Sequence, residues 1–174
     1  TKLSIEEKKS IAVIKGNGEL DDIFIADYLT TIRDYYNIGA ITLDSVATNP
    51  QNVLDQLKGF DLAIIAKPTE AFTDQEKYVM DQYMVQGGKS IWMVDQVNME
   101  MDSIYAGGGE AIAIPRDLNL KDLFFKYGVR INPVLVNDLY FTQIVLASGE
   151  GSDSQYNPLP WFYYPMVFSQ NNHP

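Results

Sequence analysis

Lys67, Glu70 and Asp95 each fall just after an apolar run that reads as a strand, and Arg116 follows a long irregular stretch. Two cations and two carboxylates gathered at strand ends would form a polar cleft able to bind and orient a small solute. Open α/β sheets take their ligands beyond the carboxyl ends of the strands, which is where these residues are expected. No spacing among the four demands catalysis. The plainer reading is solvated loop charges, or one ion pair between Lys67 and Asp95.

The segment AVIKGNGELDD, residues 12–22, offers a second candidate, because an apolar run ends in Gly16-Asn17-Gly18 and a helical pattern follows. A phosphate-binding P-loop needs Gly, four residues, then Gly-Lys-Ser/Thr, and no lysine follows here. A dinucleotide fingerprint needs a third glycine where this chain has Asp21. Asp44, after the second strand, is only a weak match to the ribose-binding acid of such folds. Glu19, Asp21 and Asp22 put negative charge at the helix start, where they satisfy the helix dipole and repel a phosphate. The loop is expected to be a structural turn.

Other chemistry is scarce. The chain has no cysteine and one histidine, His173, so thiolate chemistry, a Ser-His-Asp triad and a multi-histidine metal site are all disfavoured. Ser90, Ser103 and Ser148 stand outside any Gly-x-Ser-x-Gly elbow. The acidic loops lack EF-hand spacing and read as solubilising charge. No metal and no cofactor is expected. With 23 acidic against 13 basic residues the formal net charge is -10, which argues against nucleic acid and anionic lipid as partners. No stretch approaches the ~18 to 20 apolar residues of a membrane span. Thr1–Ser10 carries no leader pattern and reads as an internal boundary of a longer chain, and the fold is expected to continue past Pro174.

The elements that must position these residues alternate over the first two thirds of the 174-residue chain. Strands are expected at Ile11–Lys15, Ala40–Leu43, Leu62–Ala66 and Ser90–Val94. Helices are expected at Asp21–Tyr36, with Ile25, Tyr28, Leu29 and Ile32 inward, and from Pro50 to Gly59, carrying Val53, Leu54 and Leu57. Thr73-Asp74-Gln75-Glu76 is a capping box that opens a third helix, with Val79, Met80, Tyr83 and Met84 inward and Gly87-Gly88 as its stop. This order predicts a mostly parallel sheet with helices on both faces. The organisation expected is an α/β core over 1–97, an irregular excursion over 98–118, and a remainder over 119–174. That remainder comprises a helix at Asn119–Tyr127 capped by Asn119, strands at Val129–Val136 and Leu139–Ala147, and a strand-rich end.

Pro158-Leu159-Pro160-Trp161-Phe162-Tyr163-Tyr164-Pro165 is the most unusual stretch, because proline lacks the amide donor a central strand needs. Two readings stand. Trp161, Phe162, Tyr163 and Tyr164 either pack on the core as an edge segment, the commoner fate of so much apolar area, or form an exposed surface that docks a partner.

Four stretches carry a resemblance to a known family: Lys15–Leu20 (KGNGEL), Ala63–Phe72 (AIIAKPTEAF), Pro115–Leu120 (PRDLNL) and Leu123–Asn132 (LFFKYGVRIN). With the late WFYYP segment, the chain resembles the GldG family from about Ile11 to Pro174. Members are gliding-motility-associated auxiliary, substrate-binding-like components of ABC transporters in Bacteroidetes-type bacteria. The resemblance implies a flavodoxin-like or glutamine-amidotransferase-like α/β fold. It also implies a non-enzymatic, periplasmic domain, anchored to the membrane outside this region, that works beside an ABC permease and, through it, a cytoplasmic ATPase. It supplies no catalytic residue, and the amidotransferase cysteine is absent. A small-solute-binding domain using the strand ends is the alternative, and a degenerate hydrolase is disfavoured by the missing nucleophile and base.

Overall fold

The computed structural model describes residues 7–100, 103–104, 110–148 and 151–166, with the side chains of 146–148 left aside. The chain divides into two compact units, Thr1–Pro133 and Val134–Pro174.

The first unit is built on four parallel strands: β1 Ser10–Lys15, β2 Asn37–Thr42, β3 Leu62–Ala66 and β4 Lys89–Met93, in the order β2-β1-β3-β4. This is the 2-1-3-4 portion of the flavodoxin-like order, and the direction of winding switches between β1 and β3. The centre of the sheet is apolar on both faces, as a parallel sheet covered by helices requires: Ile11, Ala12, Val13 and Ile14 of β1 are all buried.

Helix α1 spans Ala26–Arg33, α2 Pro50–Leu57 and α3 Asp74–Val85. In α2 the Asn49 side chain accepts the Asn52 amide at 3.1 Å, Pro50 occupies the first turn, and Val53, Leu54 and Leu57 turn inward, the expected stripe. The capping box of α3 closes in both directions. The Thr73 hydroxyl accepts the Glu76 amide (3.2 Å), and the Glu76 carboxylate accepts the Thr73 amide (2.7 Å). Ala12 and Ile14 of the sheet, Leu57 of α2 and Met80 and Tyr83 of α3 share one core cluster.

The first helix departs from expectation. Asp22–Ile25 forms a 3₁₀ turn before α1, and of the four residues expected inward only Leu29 is fully buried, while Tyr28 is exposed. A 3₁₀ turn advances three residues per turn, so the apolar stripe loses its 3.6-residue phase at its start.

Beyond β4 the chain forms a small antiparallel pair, β5 Val97–Asn98 with β6 Ile114–Pro115, then α4, Lys121–Lys126. Leu120, Leu123 and Phe124 are buried, and Gly128 (φ 77°) ends the helix, the Val129 amide bonding the Phe124 carbonyl at 2.9 Å. Asn119 is not the cap. Its backbone is left-handed (φ 54°), and its side-chain amide donates to the Phe72 carbonyl at 2.8 Å, tying α4 to the start of α3. The strand expected over Val129–Val136 does not form; the Gly128 closure and Pro133 break it.

The second unit is a hairpin of β7, Phe141–Ser148, and β8, Gln155–Pro165. Prolines are poor ladder members, yet Pro158 pairs with Val145 and Pro160 with Gln143. A two-stranded ribbon leaves one edge of each strand free, and residues two apart present their missing N–H groups to the same edge. The register then jumps from Gln143–Pro160 to Phe141–Pro165, so Thr142 alone stands opposite Trp161, Phe162, Tyr163 and Tyr164. The four aromatics form a bulge of the ladder. Phe162 (43% exposed), Tyr163 (45%) and Tyr164 (48%) are open to solvent, which corrects the reading that they pack as core.

Candidate functional site

The switch point between β1 and β3 is where a flavodoxin-like sheet would hold a ligand. Here the chain closes it with its own groups. The Asn17 carbonyl accepts the amides of Thr69 and Glu70 (2.9 Å each), and the Leu20 amide donates to the Ala66 carbonyl at 3.0 Å. Thr69 Oγ1 donates to the Gly18 carbonyl at 2.9 Å. Gly18 (φ 66°) is a position that glycine suits, and a Cβ there would collide with Thr69 Oγ1. The anion in the loop is internal: Glu19 Oε2 accepts the Asn17 amide at 2.8 Å. Burial pushes the Glu19 carboxyl above its ordinary range, and the nearby amides and Lys15 only partly counter it. The loop is a structural turn. Asp44 is likewise engaged, accepting the Thr42 hydroxyl at 2.7 Å.

The charged residues expected to converge do so in part. Lys67 follows β3 directly with a left-handed backbone (φ 50°), an uncommon state for a side-chain-bearing residue. The Lys67 amide donates to the Met93 carbonyl at 2.8 Å, which holds the residue beside the end of β4. Its ammonium bonds Glu100 Oε2 at 2.8 Å. Arg116 is set at the exit of β6 by the bond from its amide to the Gln96 carbonyl (2.8 Å). Its Nη2 reaches Glu100 Oε1 at 3.4 Å and Asn98 Oδ1 at 3.2 Å. The hydrogen bond from Lys67, with a smaller contribution from Arg116, holds the Glu100 carboxyl below its usual range despite partial burial.

Glu70 and Asp95 do not join this group. Glu70 is exposed, and its backbone serves the Asn17 turn. Asp95 is half-buried and shares no hydrogen bond or ion pair with the other three among the described residues. The ion pair that forms is therefore Lys67 with Glu100, not Lys67 with Asp95. Glu100 was missed because it lies in the aperiodic Asn98–Pro115 stretch, where no pattern fixes which side chain faces the strand ends.

Two further features lie in the first unit. An open cleft of about 490 Å³ beside α4 is lined by Gln96, Phe124, Phe125 and Ile131 among others. The signal available for it was the apolar Leu123-Phe124-Phe125 followed closely by Val129 and Ile131. Lys77 and Asp81, on α3, are buried charges that bind α4: Lys77 pairs with Asp122 at 2.7 Å, and Asp81 pairs with Lys126 at 2.7 Å and accepts the Tyr127 hydroxyl at 2.8 Å. Among the described residues no group of three His, Cys, Asp or Glu side chains could hold a metal ion. His173 lies outside the described residues.

Fold and site together define an α/β domain of the doubly wound, flavodoxin-like type, its switch crevice closed and its charged cluster beside the ends of β3 and β4. Over residues 8–174 the chain matches the family described as ABC-type uncharacterized transport system, and it belongs to that family. It is thus an auxiliary protein of ABC-type transport, and the family is a transport family rather than a class of enzyme. A comparison with curated proteins found no match. Among solved structures the chain is similar to one titled mmIFT52 N-terminal domain, at 15% identity and a TM-score of 0.47. That likeness covers 88% of this chain and 66% of that one, just under two thirds.

Proposed function

We propose that this chain is the extracytoplasmic, non-enzymatic domain of an ABC transporter auxiliary component serving gliding motility or a related secretion process. It acts by contact with the permease and, through it, with the cytoplasmic ATPase. The full-length protein is anchored in the inner membrane with this part on the periplasmic side. The observation that carries the reading is membership of the transport family over nearly the whole chain. The resemblance to GldG-type proteins in the KGNGEL, AIIAKPTEAF and WFYYP segments supports the narrower assignment.

The contact surface we assign is the aromatic bulge. Aromatic side chains dominate interface energies, and four of them stand where the ladder gives them no strand partner but Thr142. Phe162 stacks edge-on to Phe141 at 4.7 Å and Trp161 to Tyr163 at 5.7 Å, so the cluster is partly organised before any partner arrives. Replacing Tyr163 and Tyr164 together by Ala is expected to weaken permease binding about tenfold or more. The melting temperature of the α/β unit should be unchanged. Binding that survives the double substitution would remove the bulge from the interface.

A further inference from the structure

We propose that Lys67 and Arg116 form a carboxylate-binding seat that Glu100 occupies as a built-in plug, and that a ligand carboxylate takes Glu100's place. Arg116 is the centre of the inference. Its side chain is only 9% exposed, and its Nη1 is buried with no hydrogen-bond partner among the described residues. A guanidinium presents a planar fork that a carboxylate fills with two parallel bonds, and a buried, unpaired donor on a charged group is costly.

Glu100 does not fill the fork. Its Oε2 goes to Lys67 at 2.8 Å and its Oε1 makes one long contact, 3.4 Å, to Nη2. Among the described residues nothing bonds the second arm. Glu100 is also the most exposed of the three side chains, at 41%, so it can leave without opening the core.

Position and backbone point the same way. The seat lies beside the carboxyl ends of β3 and β4, on the ligand side of a parallel sheet. Lys67 holds a left-handed backbone there (φ 50°), the kind of local strain that concentrates at binding sites. In a chain of net charge -10, two cations turned toward one point form a local exception to the field of the whole molecule. The inference does not depend on the transport reading. A failed titration would leave partner capture untouched, and the reverse also holds.

The test is a titration of the full 174-residue chain and of Glu100→Gln with succinate, followed by amide and arginine side-chain resonances at fixed ionic strength with chloride as control. Glu100→Gln keeps the shape of the plug and removes its charge. It should bind succinate at least about tenfold more tightly than the natural chain, about 1.4 kcal/mol, with shifts centred on Lys67 and Arg116. Adding Arg116→Lys, which keeps the charge but not the fork, should cancel the gain. Dispersed spectra certify folding in each case, and Glu100→Asp, with its shorter reach, serves as the second variant and should fall between the two.

A peptide with one internal Glu, compared with its Gln counterpart, separates a partner's side chain from a free small acid as the source of the carboxylate. Preference for either supports the seat. Absence of shifts in both proteins, tightening that persists after Arg116→Lys is added, or equal competition by inorganic phosphate would overturn it.

Discussion

Phe72→Ala is expected to destabilise the α/β unit by about 3–5 kcal/mol, a large share of the roughly 5–15 kcal/mol a domain of this size possesses. Phe72 is 1% exposed and shares one core cluster with Leu123 and Phe124 of α4, against which Trp92 of β4 also packs. Its ring lies 5.7 Å from Trp92 of β4, and Trp92 meets Phe124 of α4 edge-on at 5.3 Å. The backbone of the same residue is held twice, its amide donating to the Leu118 carbonyl at 3.0 Å and its carbonyl accepting from Asn119 at 2.8 Å. Truncation leaves a cavity that these fixed backbone bonds prevent from collapsing. Urea unfolding measures the loss. A change below about 1 kcal/mol would show that the aromatic stack does not close the sheet edge against α4.

Asp81→Asn is expected to cost about 2–3 kcal/mol at neutral pH, because it removes the charge that both Lys126 and Tyr127 address. The loss should depend on pH in a defined way. Burial pushes the Asp81 carboxyl up, but the bonds from Lys126 and Tyr127 outweigh it and leave the carboxyl below its ordinary value of 3.8. A lowered folded value means that the stabilisation is present above the unfolded value and is lost as pH falls through the folded one. Tyr127 behaves in the opposite sense. Burial and the Asp81 bond raise its hydroxyl from 10.0 to about 12, so its contribution is present below the unfolded value and is lost as pH rises toward 12. The stability gap between the natural chain and Asp81→Asn should therefore be flat across neutral pH and shrink at both extremes. A gap that stays constant into strong acid would show that Asp81 acts by packing alone.

The parallel sheet and two of its helices could be read from sequence because local and tertiary preferences agree there. Leu62–Ala66 is apolar throughout and Thr73–Glu76 carries its own cap, so neither depends on distant residues. Buried Lys77 and Asp81 on α3 were not foreseeable from helical periodicity, which sends charges outward. Their partners Asp122 and Lys126 lie 45 residues away on α4. A strand-rich end was legible, but not that Pro158 and Pro160 stand within the ladder, because the meaning of a strand proline depends on which edge of the ribbon it faces. At the strand ends the sequence identified Lys67 and Arg116 but not the carboxylate they share. Glu100 reaches them only because the β5–β6 pair turns the chain back.

The measurement that bears most directly on the function is recovery of the full-length protein from its own membrane, at native expression in mild detergent. The adjoining permease and ATPase should purify with it, and the Tyr163→Ala/Tyr164→Ala protein should lose both while remaining folded. A natural protein that emerges alone, with neither subunit at any detergent that preserves the transporter, would contradict its assignment as a contact module of that transporter.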